Sequence, residues 1–223
     1  MSKHRFRVAA AAAGMALAAA GVACAQAVDS DFQPKTKGTW ILDLRATDVI
    51  PENYHPILTG AGAATGLKAH VSSDIKPTLG ITYFLTDHIA VEAIAGATRH
   101  EIDAVNASGQ HTRVRDAWVL PPVVALQYHF LPAARFSPYL GAGVNYMWFY
   151  SGDDKNGFTT HLDNGFGWAL QGGLDYQITG PWTVNADVKK IFFDTTARID
   201  GGALTSRVDL NPWVISAGFG RKF

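Results

Sequence analysis

The side chains able to do chemistry fall into groups by their spacing. Asp43 and Arg45 stand two apart, as do Gln127 and His129, and as do Asn185, Asp187 and Lys189. Glu92, Gln171 and Asp175 sit in similar alternating stretches. A spacing of two puts such residues on one face of an extended strand. Acids and bases that share a buried face neutralise one another, so the chemistry expected is a structural ion-pair network. A second group could suggest catalysis or metal binding. His100-Glu101 opens like a zinc-protease helix, but the fifth position is Ala104 instead of His, so no metal site is expected there. Ser73, Asp74, His111 and His161 fall in segments expected to be outer loops. A lipid-modifying enzyme would use such residues, yet their spacing follows no catalytic pattern. Gly60-Ala-Gly62 and Gly141-Ala-Gly143 do not open a helix after a buried strand, so neither is a phosphate cradle. No catalytic set, no cofactor and no metal site is expected.

The elements that position the first group are strands. Period-two alternation appears in eight runs, about Thr39–Ile50, Thr78–Leu85, Ile89–Arg99, Ala117–Phe130, Tyr139–Tyr150, Gly165–Ile178, Trp182–Asp194 and Val208–Phe223. Connections alternate between short and long. Thr86-Asp87-His88, Leu131 to Phe136 and Thr179-Gly180-Pro181 are short. Pro51 to Pro77, His100 to Asp116, Ser151 to Asn164 and Thr195 to Arg207 are long and read as loops. Trp40, Leu42, Leu44 and Ala46 alternate with Ile41, Asp43, Arg45 and Thr47, so one face is free of charge and the other is not. The same split holds for Val124 to Phe130 and for Trp182 to Val188. Five runs carry an aromatic residue at each end: Trp118 and Tyr128, Tyr139 and Trp148, Trp168 and Tyr176, Trp182 and Phe192, Trp213 and Phe223. A strand crossing a bilayer takes roughly 9–11 residues, and barrel walls carry aromatic girdles at both interfaces. The fold expected is all-β, an eight-stranded antiparallel transmembrane β-barrel, with short turns in the periplasm and long loops outside.

Composition agrees. Lys3, Arg5 and Arg7 precede an uncharged, alanine-rich run from Val8 to Val22 and a small-residue site at Ala23-Cys24-Ala25. That order reads as a secretory signal peptide over residues 1–25. Residues 26–37 are then expected to form a loose periplasmic arm, and residues 38–223 the barrel. Cleavage removes the single Cys and three of the 19 Lys+Arg, leaving 16 against 19 Asp+Glu. A slightly acidic chain does not suit nucleic acid. Without disulfides, a closed ladder of backbone hydrogen bonds in lipid has to supply the stability.

The inward face divides along the barrel axis. Near the short turns it is polar, with Glu92, Gln127, His129, Gln171, Asp175, Asn185, Asp187 and Lys189, and with Asp43 and Arg45 somewhat higher. Toward the long loops it is apolar, with Ile94, Val123, Met147, Phe149, Ile191, Phe193, Leu210 and Val214. An eight-stranded barrel is just wide enough to fill with side chains or to hold one small ligand. The residues alone therefore allow a plugged core, or an apolar upper lumen above a polar plug. They also leave open a structural or receptor barrel whose loops bind partners.

The same segments resemble the outer membrane protein W family of Gram-negative bacteria. The matching stretches are Gly38 to Arg45 with Pro51, Leu79 to His88 with Glu92, Leu120-Pro-Pro122 to Phe130, Pro138 to Asn145, and Asn211-Pro-Trp213 running to Phe223. The resemblance implies a monomeric eight-stranded barrel with a narrow hydrophobic lumen. It further implies association with stress responses and with passage of small hydrophobic compounds across the outer membrane. The expected partners are outer membrane lipids, small hydrophobic solutes and, during biogenesis, the barrel-assembly machinery. The terminal Phe223 resembles the signal which that machinery reads, although Arg221 stands where an aromatic residue is common; Arg221 is placed to reach the periplasmic headgroups.

Overall fold

A computed structural model describes residues 31–223; the expected signal peptide and residues 26–30 of the arm lie outside the described residues. The described residues form fifteen strands: β1 Trp40–Ile50, β2 His55–Thr59, β3 Ala64–Val71, β4 Asp74–Phe84, β5 Ile89–Ala95, β6 Thr98–Val105, β7 His111–Leu120, β8 Val123–His129, β9 Phe136–Asp154, β10 Thr160–Leu162, β11 Gly165–Thr179, β12 Trp182–Phe192, β13 Asp194–Ile199, β14 Leu204–Asp209 and β15 Trp213–Lys222. Eight of them close into one antiparallel ring in the order β1, β4, β5, β8, β9, β11, β12, β15, with β15 pairing back onto β1. The expected eight-stranded barrel is the observed fold.

The segments read from sequence as long loops are not loops. They hold β2, β3, β10, nearly all of β13, most of β14, β6 and β7, and the end of β9. These pair in the series β9, β7, β6, β3, β2, β14, β13, β10 and raise the wall into a crown above the ring. The physical reason is pairing across large sequence separation. Each crown strand is too short and too interrupted by Gly, Asn and Asp to announce itself, yet neighbours satisfy its backbone donors and acceptors. Where ring meets crown the ladder breaks at Gly96-Ala97, Pro121-Pro122, Asp163-Asn164, Phe193 and Leu210 to Pro212. Pro212 therefore lies in the gap after β14, immediately before β15. There Ile191 N–H donates to Pro212 O at 3.1 Å and Phe193 N–H to Asn211 Oδ1 at 3.1 Å.

The ring's outer face is a lipid belt. Leu42, Leu44, Leu79, Ile81, Leu126, Leu140, Leu170 and Ile215 all lie exposed on it. The eleven residues of β1 rise about 36 Å along the strand. With the usual barrel tilt that spans an apolar band of roughly 25 Å. Three of the four evenly spaced aromatic pairs bound the belt, while Trp118 and Tyr128 fall on separate strands, β7 and β8, divided by Pro121-Pro122. Trp168 and Tyr176 lie outward, as do Trp182 and Phe192, and Trp213 and Phe223. The pair Tyr139 and Trp148 fails this pattern. Nine residues apart, the two must point to opposite faces of β9; Trp148 lies outward and Tyr139 is only 2% exposed, inside the ring.

Tyr139 has a reason to turn inward. It stands opposite Gly173 in the β9–β11 ladder, and its hydroxyl occupies the space a Cβ at Gly173 would need. The glycine leaves a gap in the inward row Gln171, Gly173, Asp175, and the ring fills it. At Gly218 the constraint is backbone instead, since a Cβ there would run into Leu44 O on the adjoining strand.

The arm is also tied down more than its composition suggests. Lys35 is buried, and its ammonium meets Asp175 at 2.5 Å. Lys37 N–H donates to Asp87 Oδ1 at 2.8 Å, and Gln177 Nε2 donates to Asp31 O at 3.2 Å. Lys222 Nζ donates to Gln33 O. Residues 31–37 are thus strapped across the short-turn end instead of hanging loose. The reason is charge: Asp175 faces inward, and Lys35 brings a cation to it from outside the wall.

Gly173→Val should expel the Tyr139 ring and break its bond to the floor described next. Overpacking of this kind costs typically ~1–3 kcal/mol. Urea unfolding of the reconstituted barrel, followed by tryptophan fluorescence, should show a lower midpoint for this variant than for Ala186→Val on the lipid face.

Candidate functional site

The ten polar residues expected inside the ring form one continuous floor across it. Arg45 Nη2 lies 3.0 Å from Asp43 Oδ2 and 2.8 Å from Glu92 Oε1. Lys189 Nζ lies 3.1 Å from Glu92 Oε2 and 2.5 Å from Asp187 Oδ1. Gln171 Nε2 donates to Glu92 Oε2 at 3.1 Å, and Asn185 Nδ2 donates to Asp43 Oδ1 at 2.6 Å. Below them Gln127 Oε1 lies 3.1 Å from His129 Nε2, and the other ring nitrogen is 3.4 Å from Lys35 Nζ, which pairs with Asp175.

Two floor residues were not legible as such. Tyr139 reads as a girdle aromatic, yet its hydroxyl donates to Asp187 Oδ2 at 2.8 Å. Only the odd gap to Trp148 signals its inward direction. Lys35 lies outside every alternating run and carries no signal at all. Glu92 is fully buried and holds two cations at once. Removing one member of a buried ion pair leaves the other charge without compensation, at a cost of about 3–5 kcal/mol. The floor is therefore held together as a unit. Beneath it Ile41, Phe84 and Ala90 form a small apolar cluster of their own.

Above the floor the lumen becomes an apolar chamber of about 920 Å³ of unoccupied space, its solvent-open mouth included. Of the eight apolar residues expected there, Met147, Phe149, Ile191, Leu210 and Val214 line the chamber. Ile94, Val123 and Phe193 lie buried in the same apolar cluster without lining it. The chamber is taller than the ring because the crown extends it. Ile57, Val71, Val114 and Ile199 come from segments that read as loops, and all four line it. Pro51, Pro121 and Pro212, next to strand breaks, also reach the cavity.

The groups that could have served catalysis or a protease-like metal site are not brought together. His100 lies on strand β6, not on a helix. Its Nδ1 bonds Ser72 O at 2.7 Å and its Nε2 bonds Thr98 Oγ1 at 3.0 Å. Asp74 pairs with Lys76 at 3.0 Å on β4, His111 with Asp103 at 3.1 Å on β7, and His161 with Asp163 at 3.5 Å beside β10.

The crown has its own electrostatics. Burial alone would raise the Asp116 carboxyl. Hydrogen bonds from Arg99 at 2.8 Å and Arg113 at 3.0 Å outweigh it and hold the group below the usual carboxylate range. Lys155 approaches the same carboxylate at 3.7 Å.

A closed ring with an apolar belt outside, aromatic ends and a floor of paired charges inside defines an integral β-barrel of the Gram-negative outer membrane. The chain belongs to the OmpW family, whose model matches residues 36–223. It is 40% identical over 223 residues to the uncharacterized outer-membrane protein y4mB of Sinorhizobium fredii, with 96% of this chain and 95% of that protein covered. It is 36% identical over 180 residues to outer membrane protein W of Escherichia coli, covering 74% of this chain and 81% of that one. The crystal structure of OprG from Pseudomonas aeruginosa superposes with a TM-score of 0.80 at 31% identity, covering 86% of this chain and 99% of OprG.

Because the Asp116 carboxyl is held low in the folded state, its stabilising contribution is present above the unfolded carboxylate pKa of about 3.9. It disappears as pH falls through the lower folded value. Amide hydrogen exchange of β6 and β7, corrected for intrinsic rate, should be slow at pH 6 and faster near pH 3. Asp116→Asn should show the faster exchange already at pH 6.

Proposed function

We propose that the barrel assists small hydrophobic molecules across the outer membrane. The observation that carries this reading is the chamber's chemistry. Its walls are side chains such as Met147, Phe149, Ile191 and Val214, and it stands directly on a floor of paired charges. A largely apolar pocket with few polar groups is what an apolar solute binds. An apolar solute entering through the crown gains contact with these walls. It gains nothing from crossing the floor, where it would have to separate buried ion pairs.

The way out is then sideways. The chamber reaches Pro121 and Pro212, where the ladder between ring and crown is broken. Proline contributes no donor, so the regular ladder is replaced there by single bonds such as Ile191 N–H to Pro212 O and Tyr146 N–H to Pro122 O. A solute leaving by such a break arrives in the lipid belt, the phase it prefers. Water and ions are refused by the same arrangement, the first by the chamber and the second by the floor.

Met147→Glu places a carboxylate in the chamber without touching the floor. Uptake of an apolar fluorescent probe by cells carrying this variant should fall by roughly tenfold, equivalent to a 1.4 kcal/mol penalty at the wall. The variant should still reach the outer membrane and still shift its gel mobility on heating, as folded barrels do. Unchanged uptake by a correctly assembled variant would remove the chamber from the route.

A further inference from the structure

Three side chains on the crown converge although they lie far apart in sequence. His70 on β3 stands opposite Asp103 on β6 in their ladder. His111 on β7 stands opposite Val105, two residues beyond Asp103. One ligating atom from each of His70, Asp103 and His111 lies within 4.8 Å of the other two. His111 Nδ1 is already 3.1 Å from Asp103 Oδ2.

The surroundings favour a ligand over a simple polar contact. His70 Nδ1 is buried and has no hydrogen-bond partner. Its ring is held between Tyr54, at 5.6 Å between centroids, and His111, at 5.2 Å. Asp103 Oδ1 accepts a hydrogen bond from Arg113 Nε at 2.6 Å, which orients the carboxylate and leaves Oδ2 turned toward the histidines. Arg113 does not cancel that carboxylate, because it also serves Glu101 at 2.5 Å and Asp116 at 3.0 Å.

We propose that His70, Asp103 and His111 bind a divalent transition-metal ion of the zinc class. Two imidazoles and one carboxylate suit zinc, cobalt, nickel or copper, which accept nitrogen donors. Calcium and magnesium demand a shell of oxygens that this site does not offer. Zinc bonds of about 2.0–2.2 Å to such donors require the three atoms to close in by roughly an ångström, a movement within reach of the His70 side chain. The fourth position stays open to water. The bound ion ties β3, β6 and β7 together. Those strands bring Val71, Ile102 and Val114 to the chamber wall, so occupancy stiffens the mouth of the lumen.

The test uses the whole barrel, refolded in detergent and free of any polyhistidine tag. Titration with cobalt should produce a saturable visible absorption band at one ion per chain. Zinc should displace the cobalt, and a large excess of magnesium or calcium should not. His70→Ala and His111→Gln should each weaken zinc binding at least tenfold by calorimetry. His161→Ala, at a separate exposed pair, should leave it unchanged. Heat-shifted gel mobility confirms that each variant is folded. If folded His70→Ala and His111→Gln bind zinc as the parent does, or the parent binds none that saturates, the site is refuted.

Discussion

No water is present in the hydrocarbon layer to bond a free N–H or C=O, and the rest of this structure follows from that. A strand in lipid must pair on both edges, so the wall must close, and eight strands close it here. Closure fixes which residues face in. With a side-chain period of two, every residue between Trp40 and Ile50 is assigned to lipid or lumen by parity alone. Lipid then removes charge from one set, and every charge that remains within the belt is driven into a narrow interior. There the charges have no solvent and must find one another.

That compulsion explains the floor. Arg45, Glu92 and Lys189 sit where a soluble protein would place leucine. Their energetic justification is mutual, since each ion is tolerable only because the others are present. In the proposed route this network is the barrier: ions meet a layer of fixed charge, and apolar solutes meet one they cannot solvate. Above it the crown continues the wall beyond the lipid belt and lines the chamber with Ile57, Val114 and Val208. A barrel that ended at the membrane surface would have a much shallower pocket. The crown's strands are linked by backbone pairing and by the carboxylate and guanidinium contacts around Arg113, which water can reach and pH can weaken.

The parts legible in sequence were those governed by a local period. Alternation in Trp40 to Thr47 and in Trp182 to Lys189 places both faces correctly, and all ten expected floor residues meet in space. The parts that were not legible depend on contacts between distant segments. Ile57 and Ser206 read as loop residues because β2 and β14 exist only through each other and their neighbours. Lys35 has no periodic signal and is placed by the charge of Asp175, 140 residues away. Tyr139 carried a readable clue, an odd spacing to Trp148, that the girdle pattern hides. His70 and Asp103 become neighbours only once β3 and β6 are known to pair.

The claim at the centre is that this lumen admits apolar molecules and refuses ions. The direct test is a single preparation of the protein in a planar bilayer, with ionic current and transfer of an apolar fluorophore recorded together. The account predicts fluorophore transfer above that of protein-free bilayers, with no ion-conducting steps. Steady single-channel current with no gain in fluorophore transfer would contradict it.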